Sequence, residues 1–108
     1  MSRYSNLSDS DLVRLLRRRD KYAFIELGRR YGDDIGARIL RINPTWLTQR
    51  ILGRATGHVL QIVVRTISKQ DPDDVDLERV VSDTAKYMGF LLRRSASLEN
   101  GRESNDDD

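Results

Sequence analysis

Apolar residues recur at helical spacing almost from one end of the chain to the other, and that pattern predicts an all-α fold. Leu12, Leu15 and Leu16 mark one stripe while Arg14, Arg17 and Arg18 point elsewhere, which reads as a helix over about 9–18. Ser8 suits its N-cap, and Asp11 stands where a capping-box acid does. Asp20 suits the cap of a second helix whose buried side carries Ala23, Phe24, Leu27 and Tyr31. Ile35, Ile39 and Ile42 continue the spacing past Gly32-Asp33-Asp34, which is either a break or a softened joint. Gly28, Gly32 and Gly36 recur every four residues. Along one helix they make a flat strip for close approach by another, at roughly 1 kcal/mol each relative to alanine, so a break near Gly32 competes.

Asn43-Pro44 and Asp71-Pro72 each set a capping side chain before a proline, so helices are expected to begin near 44 and near 72. The first runs to about 68, with Leu47, Ile51, Leu52, Ala55, Val59, Ile62, Val63 and Ile67 apolar. Its second half, VLQIVVRTI, is rich in β-branched residues but has no visible partner strand, and it is read as helix. The last helix spans about 73–94, with Asp73, Asp74 and Asp76 early and Arg93 and Arg94 late, the favourable order for the helix dipole. Its core face is Leu77, Val80, Val81, Thr84, Met88, Leu91 and Leu92. From Ser95 onward the chain is polar and acidic. The expected architecture is a compact bundle of four to five helices: a single helical domain over 1–94 and a disordered acidic C-terminal tail over 95–108.

Composition narrows the picture. With 108 residues, 38% hydrophobic and 33% charged, one charged-surface helical domain is favoured over a β-sandwich. The absence of cysteine removes disulfides and thiolate metal sites and is compatible with a cytoplasmic setting. Wholly apolar runs reach four residues at most, so neither a signal peptide nor a membrane span is expected. The net charge of +2 hides a split: residues 1–69 carry a net +8 and residues 70–108 a net −6. Such asymmetry suits a basic surface for nucleic acid or an acidic partner, shielded by an acidic end, although solvated helix faces also explain it.

Catalytic chemistry has no candidate constellation, so no enzyme, cofactor, metal or small-molecule substrate is expected. His58 is the single histidine, within an apolar helical stretch. Asp71, Asp73, Asp74 and Asp76 resemble a calcium loop in spacing, but its required glycine and glutamate positions hold Asp76 and Ser82. Helix capping explains these acids. The glycines lack the lysine that follows a phosphate-cradling loop.

The segment LSDSDLVRLLRRRDKYAFIELGRRYG, positions 7–32, resembles the second conserved region of bacterial RNA polymerase sigma factors, especially the small extracytoplasmic-function group. The matching positions are Ser8, Asp9, Leu12, Val13, Asp20, Ala23, Phe24, Glu26, Leu27, Arg30, Tyr31 and Gly32. WLTQRILGRA, positions 46–55, is similar to the family's next helix through Leu47, Thr48, Gln49, Arg54 and Ala55. The two segments cover about a third of the chain. In that family this helix docks on the polymerase's largest subunit, so the resemblance implies a partner-binding surface at Leu47, Thr48, Gln49, Arg50 and Arg54. The chain departs from the family where Trp46 and Arg50 replace acidic residues, and where residues 56–70 lack the aromatics used in promoter melting. ELGRRYGDDIGARILR, positions 26–41, also looks like a helix-turn-helix, with Gly32 as the turn glycine and Arg38 spoiling the register.

Three functions fit these residues. The first is a small transcription-associated regulator resembling the polymerase-binding region of a sigma factor and contacting RNA polymerase. The second is a nucleic-acid-binding protein gripping DNA phosphates through Arg14, Arg17, Arg18, Arg19, Lys21, Arg29, Arg30, Arg38 and Arg41. The third is a non-enzymatic helical homo-oligomer or adaptor, without nucleic acid, whose interface is the glycine strip and the long fourth helix.

Overall fold

The computed structural model describes residues 4–43 and 46–106, with side chains as far as residue 96. Four α-helices and one 3-10 turn make up the secondary structure, and no strand occurs among the described residues. α1 spans Asp9–Arg17, α2 Lys21–Ile42, α3 Gln49–Ile67, the 3-10 turn Pro72–Asp74 and α4 Leu77–Asp106. No described helix is long and apolar enough to cross a membrane.

Local capping sets most of these starts. The Ser8 hydroxyl accepts from the Asp11 N–H at 3.1 Å. The Asp20 carboxylate accepts from the Tyr22 and Ala23 N–H groups at 2.9 and 3.2 Å. α2 then runs unbroken through Gly32, which rules out the helix-turn-helix reading of 26–41. Burial explains why three glycines do not end it. Ala23, Leu27, Ile35 and Ile39 are all fully buried along one face. A Cβ on Gly28 would lie 3.5 Å from Leu60, and one on Gly36 would lie 3.8 Å from Leu52. Gly28 and Gly36 are therefore packed against α3, while Gly32 between them has nothing within 4 Å.

The two proline signals behave differently from expectation. α3 begins at Gln49, capped by the Thr48 hydroxyl, which accepts from the Ile51 N–H at 3.2 Å. Pro44 lies outside the described residues. Asn43 does not open a helix; it closes α2. Its buried amide donates to the carbonyls of Ile39 (3.3 Å) and Gly89 (2.8 Å), and its oxygen accepts from the Trp46 indole at 3.1 Å. Asp71-Pro72 opens only the 3-10 turn, because Val75 packs on the core in an extended conformation. α4 restarts at Leu77, with the Asp76 carboxylate accepting from the Arg79 N–H at 3.2 Å. Its backbone is helical through Asp106, past the expected end at 94. The expected disordered tail falls largely on 97–106, whose side chains are not described, and on 107–108, outside the described residues.

The packing order is up-down-up. Gly28 meets Leu60 and Gly36 meets Leu52, so α2 and α3 run antiparallel. Ile42 and Asn43 meet Gly89, and Tyr31 lies in the field of Glu78, so α4 runs parallel to α2. α1 rests on these helices near the 3-10 turn, placing Leu12, Val13 and Leu16 in the same core as Leu27, Val59, Val63, Ile67 and Val81. Leu91, expected on the core face of the last helix, is 40% exposed instead, and the apolar Ile51 is 36% exposed.

A basic groove as candidate functional site

A left-handed turn ends α1, and it forms one wall of a groove. The N–H groups of Arg19 and Asp20 return to the carbonyls of Leu16 (3.0 Å) and Leu15 (3.3 Å), the paired bonds of a Schellman motif. Arg19 fills the position that favours glycine, with φ of 60°. For a residue with a side chain that conformation costs about 1 kcal/mol. Asp20 follows, holding the first turn of α2 and accepting from the Tyr4 hydroxyl at 2.7 Å. Opposite this corner lies the C-terminal half of α3.

Between the two walls is a groove of about 510 Å³. Leu16, Phe24 and Val64 make its apolar floor, and Arg19, Lys21, Arg65 and Lys69 surround it together with one carboxylate, Asp20. None of these four cations forms an ion pair with a described residue. The Lys21 ammonium stands 5.3 Å from the centre of the Tyr22 ring, within cation–π range. Two of the four, Arg65 and Lys69, were not among the sequence candidates. Their signal was present: Gln61 and Arg65 on α3, with Ser68 and Lys69 just past its end, keep a polar stripe at i, i+4, i+7 and i+8.

The remaining candidate cations are dispersed, and most are engaged within the fold. Arg14 pairs with Asp73 at 3.1 Å, where the basic front touches the acidic back. Arg17 donates to the carbonyls of Ile67 (2.8 Å) and Gln70, closing the end of α3. Arg38 pairs with Asp34 one turn away at 2.9 Å. Arg18 is exposed beside the groove corner, and Arg41 lies at the far end of α2 near Lys86.

Arg29 and Arg30 converge on Glu26, which is fully buried. Arg29 makes two bonds of 2.7 Å to its carboxylate and Arg30 one of 2.6 Å. Hydrogen bonding from Arg29, with Arg30 behind it, lowers the Glu26 pKa to about 2, although burial pushes it the other way. Arg30 also reaches Asp9 at 3.2 Å and the carbonyls of Tyr4 and Leu7. The Tyr31 hydroxyl donates to Asp9 at 2.6 Å, and burial raises its pKa. Together these groups fasten the chain before α1 and the start of α1 onto α2.

The residues at the start of α3 differ in their surroundings. Leu47 is half-buried against the core, and Thr48 is spent as the cap. Gln49 is exposed beside a shallow depression lined by Gly32, Gly36, Leu40 and Gly53. Arg54 faces the other side, with His58, Met88 and Leu92. Arg50 is exposed. Among the described residues, no three His, Cys, Asp or Glu side chains gather as metal ligands.

No family model, curated protein or solved structure matches the chain.

Proposed function

We propose that this chain is a small transcription-associated regulatory protein that works by binding, contacting RNA polymerase or DNA through the basic groove. The observation that carries the reading is the convergence of Arg19, Lys21, Arg65 and Lys69, without internal ion pairs among the described residues, around an apolar floor. An anion placed there meets four cations without ion pairs among the described residues and one lining carboxylate, Asp20, which leaves the groove net positive. The resemblance to a sigma factor's second region supports the transcription setting. Its matched residues are the ones that build the α1–α2 hairpin: Ser8 and Asp20 as caps, and Asp9, Glu26, Arg30 and Tyr31 as the fastening network.

The test is retention on immobilised core RNA polymerase, and on duplex DNA, at about 50 mM salt, where such contacts are strongest. Retention of the wild-type chain, lost on Arg65→Glu/Lys69→Glu, is expected for one of the two. A chain that binds neither at low salt overturns the reading. If DNA is the partner, four phosphate contacts give a log–log salt slope of about −3.6.

A further inference from the structure

α4 carries an uncovered stripe directly opposite its core face. Asp83, Tyr87, Phe90 and Arg94 follow one another at spacings of four, three and four, which aligns them along one side of a helix. The opposite side, with Val81, Ala85, Met88 and Leu92, packs against α2 and α3. Tyr87 is 61% exposed and Phe90 49%, and Leu91 flanks them. Two aromatic rings and a leucine in one exposed patch mark a contact surface, since isolated exposed apolar residues are normal but contiguous ones are not.

The order of charges along the stripe selects the occupant. It reads acid, aromatic, aromatic, base. Rotated by a two-fold axis between Tyr87 and Phe90, it reads base, aromatic, aromatic, acid, and each position meets its complement. A parallel pairing would instead set acid against acid and base against base. Among the described residues, Asp83 is held only by Arg79 one turn away at 3.9 Å, with both side chains more than 70% exposed. Arg94 forms no ion pair with a described residue.

We infer that two copies of this chain pair antiparallel through the outward face of α4. Asp83 meets the partner's Arg94, Tyr87 meets the partner's Phe90, and the two-fold axis repeats both contacts. The aromatic centre excludes water and the charge pairs at either end set register and direction. No α4 residue lines the basic groove, so pairing leaves a groove open on each copy. This inference does not depend on the polymerase or DNA reading. The patch is small, which places the dimer in the weak class that buries less than about 1,200 Å².

Sedimentation equilibrium of the full chain from about 10 to about 500 µM at low salt tests the pairing, with a dissociation constant of order tens of micromolar expected. Tyr87→Glu should raise that constant at least about tenfold. Asp83→Arg should raise it several-fold, and Asp83→Arg/Arg94→Asp should restore it to within about twofold. These positions are exposed, so far-UV circular dichroism should show unchanged helicity. The chain contains no cysteine, so direction can be read by cross-linking. A mixture of Asp83→Cys and Arg94→Cys chains should oxidise mainly to the mixed pair. A strict monomer at the highest concentration overturns the inference. So does a dimer indifferent to Tyr87→Glu, or Asp83→Cys linking chiefly to itself.

Discussion

Glu26 shows how much one buried side chain can organise. Its carboxylate is fully enclosed, yet three charge-assisted bonds from Arg29 and Arg30 keep it ionised. With a folded pKa of about 2 against an ordinary 4.5, its stabilising contribution is complete above the ordinary value and disappears as pH falls toward 2. Denaturant midpoints of wild type and Glu26→Gln should therefore differ most at neutral pH, by roughly 2 kcal/mol, and converge between pH 4.5 and 2. Gly89 is a second such position. A Cβ there would lie 2.7 Å from Ile42 Cδ1 and 3.3 Å from Ile42 Cβ. Gly89→Ala should cost about 1–2 kcal/mol despite alanine's better helix propensity. Ile42→Val removes Cδ1 and should recover part of that loss in a double-mutant cycle. Gly53→Ala, on an exposed stretch of α3 with nothing within 4 Å, should do the opposite and stabilise by about 1 kcal/mol.

Among the elements, α1 is the one whose ends connect structure to the proposed site. Its start is fastened by Asp9 to Arg30 and Tyr31, and its last residue, Arg17, donates to the Ile67 carbonyl at the end of α3. Its end places Arg19 in the left-handed region at the groove. A position that costs stability while presenting a cation is consistent with the proposed groove. Arg19→Gly should raise stability by about 0.5–1 kcal/mol in thermal or chemical unfolding. In the binding assay the same substitution should weaken retention, because a groove cation is lost. If the variant were both more stable and equally retained, Arg19 would have no part in the groove's chemistry.

For the whole molecule, the charge split in the chain does not become two separate faces. Arg14 and Asp73 join front and back, and Arg17, Arg29, Arg30 and Arg38 have partners inside the fold. Among the described cations without an ion pair, Arg19, Lys21, Arg65 and Lys69 share the groove at the α1–α2 corner and the end of α3, while Arg41, Arg50, Arg54, Lys86, Arg93 and Arg94 lie elsewhere. Reversing Arg65 and Lys69 together should leave the unfolding midpoint within about 0.5 kcal/mol of wild type, since both are exposed. On DNA, it should lower the salt slope by about two. Loss of binding with stability unchanged separates a site from a scaffold.

What could be read from the chain was set by short-range physics. Ser8 and Asp20 were recognisable as caps because a cap bonds N–H groups only two or three residues ahead. The buried faces were legible because helical periodicity acts within a few turns, and Leu12, Leu27, Ile39, Val63 and Val81 all lie where it puts them. Tertiary structure decided the rest. Asn43 looked like a helix start, but its amide found the Gly89 carbonyl 46 residues away. Arg17 resembled a free surface cation, but its acceptors lie 50 and 53 residues on. Arg65 and Lys69 join Arg19 only because α3 packs antiparallel to α2 and brings its last turns back to the α1–α2 corner. Caps and stripes follow from neighbours along the backbone, whereas which charges are neutralised and which remain available follows from how the helices cross.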